Sequence, residues 1–165
     1  MGPFIAAAVL PPFGGILSDR LVRKYGKRTG RRATAIGLMS LTAVFVLGGV
    51  RAGGPYLAIA MLSFGAGLVF SAITTYWATV VDISKTFAGT ITGITVMGAN
   101  IGGTIAPILT PFVAKQFGWT AALDCAALAS LAAAVVWFWI SPEREITDTA
   151  PRERANTAVV MREVD

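Results

Sequence analysis

Between Gly14 and Arg32 the chain carries seven cations, Arg20, Arg23, Lys24, Lys27, Arg28, Arg31 and Arg32, with an apolar run entering on one side and another leaving on the other. Each such charge costs on the order of 3 kcal/mol at the centre of a bilayer. A turn this basic between two apolar segments is not carried across a membrane. It stays on the side where the chain was made, and by the positive-inside rule that side is the cytoplasm. The direction of every later segment follows.

Composition agrees. The chain is 55% hydrophobic and only 14% charged, with mean hydropathy +0.67. A soluble domain is about 25% charged. The apolar residues come in runs of about 20, the length a helix needs to cross roughly 30 Å of hydrocarbon. These observations predict an all-α, polytopic membrane protein. The net charge of +5 does not imply nucleic acid, because half of the 14 cations lie in the one turn that topology already explains. There is no histidine, and Cys125 is the single cysteine. Zinc and haem sites and histidine-based triads therefore lack their side chains, and no metal, cofactor or enzymatic activity is expected. The first apolar run has no basic region before it and no small-residue cleavage site after it, so it is not read as a signal peptide.

Five spans are predicted, at about 3–18, 33–50, 56–81, 87–114 and 120–140, within a transmembrane domain of residues 1–142. The first is short and carries Pro3, Pro11 and Pro12. It is either a kinked or re-entrant helix, or a helix whose outer end is missing; the second is preferred. Arg51-Ala-Gly-Gly-Pro55 separates spans two and three, and Asp82-Ile-Ser-Lys85 ends span three. Lys115 to Trp119 ends span four, and Pro142 stops span five. Residues 143–165 form a polar tail with room for a short helix near 159–164. Alternation from the basic turn puts 12 of the 14 cations inside and leaves Arg51 and Lys115 outside. The amino terminus is then outside and the tail cytoplasmic. Trp119 suits an outer aromatic belt, and Trp137 and Trp139 an inner one. An odd span count with an outside amino terminus is expected of the back part of something longer.

Gly15-Ile-Leu-Ser-Asp19-Arg20, followed by the basic cluster around Gly26-Lys27-Arg28, resembles the cytoplasmic motif of the major facilitator superfamily. That motif follows the second helix of each six-helix half. Residues 87–119 are similar to the eleventh helix of the anion:cation symporter family within it, on Gly93, Asn100, Gly102-Gly103, Pro107, Pro111 and Gly118-Trp119. The ending from Trp137 to Arg144 is also similar. The resemblance covers residues 3–142 and implies helices eight to twelve of twelve, a partial carboxyl-terminal half. It implies secondary transport of an organic anion, such as a sugar acid or aromatic carboxylate, with protons, by alternating access. It also implies a missing amino-terminal half as partner, besides the lipid bilayer, and a location in the cell inner (plasma) membrane.

Individual residues keep two readings. Gly15, Asp19 and Arg20 are a capped helix end or a gate in which Asp19 meets a facing helix end and a cation while Gly15 permits close approach. The resemblance implies that this gate docks on a helix of the missing half, and that Thr86–Gly89 receives the equivalent motif from it. Gly89, Gly93, Gly98, Gly102 and Ala106 form a small-residue face for helix packing. Asn100 bonds a neighbouring helix or lines a substrate cavity. Ser71, Thr74 and Thr75 bond their own helix backbone or, with Trp77 and more weakly Thr95, face that cavity. Asp124 lies one turn inside the outer surface and is a weak candidate for proton coupling. Rival readings are a facilitator or drug exporter of the same fold, or a small membrane scaffold that does not transport.

Overall fold

A computed structural model of the chain describes residues 2–83 and 88–140. Lys85, Thr86, Phe87, Pro142 and the tail from 143 to 165 lie outside the described residues, and with them the first half of the expected receiving site at Thr86–Gly89 and the short helix near 159–164. The described residues form three helices, α1 (Gly2–Val50), α2 (Pro55–Ile83) and α3 (Ala88–Val136), and contain no strand. All three are long and apolar enough to cross a membrane. The chain is an all-α, multi-pass membrane protein.

Two of the helices are each a pair. At 49 residues α1 would be about 74 Å long if straight. Instead Gly26, at φ +82° and ψ 164°, breaks it into arms 2–25 and 27–50. Gly118, at φ +88° and ψ 164°, breaks α3 into arms 88–117 and 119–136. With α2 this makes five helical arms among the described residues; the expected spans 3–18, 33–50 and 56–81 lie within the first three, span 87–114 begins outside the described residues, and span 120–140 runs past the end of arm 119–136. The boundaries differ in one informative way. The basic stretch is not a loop: both arms of α1 remain helical through it up to the single residue Gly26. The cations therefore sit on helix ends at fixed positions. For the same reason the first arm remains helical beyond its apolar part, which ends near Ser18, up to the turn at Gly26. Span five is helical to Val136 and closes in hydrogen-bonded turns through Trp139, short of the expected residue 140.

Positive φ with ψ near 160° is open only to glycine and costs any other residue about 1–3 kcal/mol. Gly26→Ala and Gly118→Ala are each expected to lower the unfolding temperature in detergent by several degrees. An unchanged temperature would show that the turns are not held in this conformation.

The core lies where α2 meets both arms of α1. Leu38, Leu68 and Ala72 are buried together, flanked by Met39 and Phe45. The Phe45 and Phe64 rings stack at 5.3 Å. Arm 2–25 and α2 run parallel in close contact through small residues. A Cβ on Gly14 would come within 2.6 Å of the Ser71 Cβ, and one on Gly67 would collide with Leu10 and with the Ala6 carbonyl oxygen. This is the packing mode of membrane helices, where small side chains let backbones approach. It was expected on the glycines of span four, and there it is not found. Gly89, Gly93, Gly98, Gly102 and Gly103 have nothing within 4 Å of a built Cβ, and nearly all of arm 88–117 is exposed. That arm is followed by arm 119–136. The latter packs antiparallel on arm 27–50, where Ser130 donates to the Met39 carbonyl oxygen at 2.9 Å. α2 and α3 scarcely meet.

Candidate functional site

The turn at Gly26 folds Arg31 back onto the helix that precedes it. Gly30 makes this possible, because its Cα faces the backbone of Leu21 and Val22 directly. Arg31, buried to 9% exposure, then lies at the meeting point of three helical segments. Its Nη1 donates to Ser18 Oγ at 2.9 Å and to Asp19 Oδ1 at 3.2 Å, both on arm 2–25. Its Nε donates to Asp82 Oδ2 at 3.1 Å, on the last turn of α2. Lys27 Nζ lies 3.6 Å from the other Asp82 oxygen. Two cations and two carboxylates thus neutralise one another at the basic end of the bundle.

The guanidinium suits this position because its planar fork presents several donors in fixed directions, which an ammonium cannot do. The two carboxylates are unequal. Asp82 is largely enclosed, with 18% of its side chain exposed, and both its oxygens face cations. Asp19 keeps 59% of its side chain exposed and bonds Arg31 through one oxygen. It is held by the junction and still open to a further partner. Gly15, one turn earlier, has empty space where a Cβ would be. Arg20 is exposed.

Gly15 and Asp19 were legible from spacing. Arg31 and Asp82 were not singled out. The signal was present in the alternation of spans, which puts the ends of spans one and three and the start of span two on the same side. It names the residues that share a face of the membrane, but not the one that crosses between helices.

The cavity candidates separate into two groups. Ser71 and Thr75 are buried, Ser71 against Gly14 with its hydroxyl donating to the Gly67 carbonyl at 2.9 Å. The reading in which they bond or pack within their own helices fits these two better than a place on a cavity wall, although the Thr75 hydroxyl has no partner among the described residues. Thr74 donates to the Ser71 carbonyl at 2.7 Å and is half-buried, while Trp77 is 39% exposed on the open side of α2. Asn100 lies on the exposed arm 88–117, in a shallow groove with Gly93, Val96, Met97, Ile101 and Thr104; its carbonyl accepts from the Thr104 hydroxyl. Thr95 is half-buried on the same arm. Because α2 and α3 scarcely meet, these two groups do not share a cavity formed by the described residues.

Asp124 stands at the opposite end of the bundle, in a two-pronged pair with Arg51. Nη1 to Oδ1 is 2.9 Å and Nη2 to Oδ2 is 3.1 Å. The hydrogen bonds that Arg51 donates to this carboxylate, and then the carboxylate's charge, raise the Arg51 pKa above the usual guanidinium value. The guanidinium therefore stays charged at any accessible pH, and Asp124 has both oxygens engaged. Cys125 is exposed beside a cavity of about 280 Å³ between the two arms of α3.

Among the described residues no group of three or more histidine, cysteine, aspartate or glutamate side chains comes together as a metal site would require. Compared with known proteins, residues 1–163 match the family model described as Major Facilitator Superfamily. No curated protein matches the chain.

Proposed function

Because this chain belongs to the major facilitator superfamily, a family of membrane transporters and not of enzymes, we propose that it is the carboxyl-terminal part, helices eight to twelve, of a proton-coupled symporter of an organic anion. It acts with an amino-terminal half that supplies the other wall of the transport path. The observation that carries this reading is the Arg31 junction. Alternating access needs contacts at one end of the bundle that hold while that end is closed and release when it opens. Arg31 joins three helical segments there, and among the described residues Asp19 uses one oxygen, leaving the other for a fourth. A helix of the other half, presenting its positive amino end to Asp19 and its backbone to Gly15, would complete the closure.

The basic end is assigned to the cytoplasm, since it gathers the seven cations of residues 20–32. The membrane is the cell inner (plasma) membrane. Thr74 and Trp77 on the open side of α2, and Thr95 and Asn100 on arm 88–117, offer hydroxyl, amide and aromatic contacts suited to a sugar acid or an aromatic carboxylate. The missing half joins these two surfaces and brings the cation that an anion requires. One observation favours a second reading, an uncoupled facilitator of the same fold. Residues 33–50, 56–81 and 88–114 contain no Asp, Glu, Lys or Arg, and Asp124 is engaged with Arg51, so we do not assign it the proton-coupling role.

Uptake into proteoliposomes decides between these readings. The chain alone is expected to take up no organic anion. Co-expressed with a matching amino-terminal half, it should accumulate substrate against a gradient when the outside is acid. Uptake by the 165-residue chain alone would overturn the half-transporter reading. Uptake that equilibrates without accumulating would replace the symporter with the facilitator.

A further inference from the structure

A second cluster of cations stands apart from the Arg31 junction. Arg28 and Arg32, one helical turn apart on arm 27–50, open onto a cavity of about 440 Å³ lined also by Thr29, Ala33, Ile36 and Phe138. Arg32 is fixed in place. Its Nε donates to the Trp137 carbonyl oxygen at 3.0 Å, and its guanidinium lies 5.8 Å from the centre of the Phe138 ring. That carbonyl is available because α3 ends there in turns, and Trp137 itself is buried to 5% exposure. Among the described residues neither Arg28 nor Arg32 has a carboxylate partner, in contrast to Arg31 three positions along from Arg28.

The cavity is graded. Arg28, Thr29 and Arg32 form its polar end, near the turn at Gly26. Ala33, Ile36 and Phe138 form its apolar end, further along the arm. From residue 28 to residue 36 an α-helix advances about 12 Å, the scale over which a phospholipid passes from phosphate to acyl chain. Phe138 and Trp139 are exposed beside it, as aromatic residues at a headgroup boundary are. Basic pockets between membrane helices on the cytoplasmic side take anionic headgroups. Two arginines and a hydroxyl give a phosphate charge-assisted hydrogen bonds, and the apolar end then receives the chain below it.

We propose that the groove of Arg28, Thr29, Arg32 and Phe138 binds one anionic phospholipid, its phosphate between the two guanidinium groups and its acyl chain along Ile36. The site ties the end of the last helix to the start of arm 27–50. It is independent of the transport reading and holds whether or not the chain moves a substrate.

Native mass spectrometry of the full chain, released from micelles doped with phosphatidylglycerol or phosphatidylcholine, tests this. Two arginines facing a net negative headgroup give a preference for phosphatidylglycerol of roughly thirtyfold. Arg28→Gln should lose most of it, and Arg28→Gln with Arg32→Gln all of it. Arg28→Gln is the cleaner variant, because Arg32 also holds Trp137. Arg23→Gln with Lys24→Gln removes two charges from the neighbouring arm and should keep the preference. Equal retention of both lipids, equal loss in the Arg23 and Lys24 control, or saturation by inorganic phosphate without lipid would each overturn the proposal. So would a preference that appears only after Glu143→Gln and Glu145→Gln, since the tail would then be the occupant.

Discussion

Replacing Arg31 with alanine is expected to lower the unfolding temperature of the chain in detergent by about 5–10 °C. Removing one partner of a buried ion pair costs about 3–5 kcal/mol, because the remaining charge is left desolvated and unpaired. Here the cost is reduced, since Asp82 keeps Lys27 at 3.6 Å and Asp19 is more than half exposed. About 2–3 kcal/mol remains, and for a chain of this size each kcal/mol moves the midpoint by about 2–4 °C. Arg31→Lys should recover less than half of the loss. An ammonium keeps the charge but cannot reach Ser18, Asp19 and Asp82 together in the geometry of the fork. The carboxylates should rank by enclosure, with Asp82→Asn costing more than Asp19→Asn. Circular dichroism melts of the four variants check this series. Equal and small effects throughout would show that the junction does not hold the three segments together. On the proposed reading, in which the chain acts with an amino-terminal half, the order should reverse for function. Asp19→Asn, mild for stability, should strongly impair uptake, because among the described residues Asp19 uses only one oxygen.

The second large effect is expected at Gly30. A Cβ there would lie 2.5 Å from the Val22 nitrogen, 2.6 Å from its Cα and 2.7 Å from the Leu21 carbonyl carbon. All three are backbone atoms, so no side chain can rotate aside. The arms of α1 must separate instead, and overpacking of this kind costs about 3 kcal/mol, the upper end of its usual range. Separating the arms also draws Arg31 away from Ser18 and Asp19, so Gly30→Ala should lose the junction together with the turn. Gly37→Ala is the matched control, seven residues further along the same arm. Its Cβ would meet nothing within 4 Å, and replacing a helical glycine with alanine is favourable by about 0.5–1 kcal/mol. One glycine-to-alanine change should therefore lower the melting point by about 6–12 °C and the other should raise it slightly. If the two behave alike, the close approach of the arms is not present in solution.

Much of the fold was legible because membrane insertion is governed by composition along the chain. Spans 33–50 and 56–81 fall within arm 27–50 and α2 almost residue for residue. The breaker at Arg51–Pro55 is the connection between them. The sequence reads the whole basic stretch as a turn, where the structure confines the turn to Gly26, for an identifiable reason. Seven cations argue against a spanning segment, but not against a helix, and arginine and lysine are good helix formers. The spacing of the glycines in span four allows a packing face, and within this chain the close contact is made instead at Gly14, Gly67 and Ser71. Asp124 was weighed for proton coupling because an acid near a membrane demands a reason. The reason visible here is Arg51, 73 positions earlier in the sequence.

The sequence by itself determined that this chain is all-α and crosses a membrane more than once. These depend on transfer free energies that add up locally, residue by residue, whatever the neighbours are. Only the tertiary structure decided which charges meet. It selected Arg31 from seven similar cations, joined it to Ser18, Asp19 and Asp82, left Arg28 and Arg32 facing an open groove, and paired Arg51 with Asp124. The Arg31 junction follows from the glycine turn at Gly26 and the backbone contact at Gly30, which bring arm 27–50 back against arm 2–25.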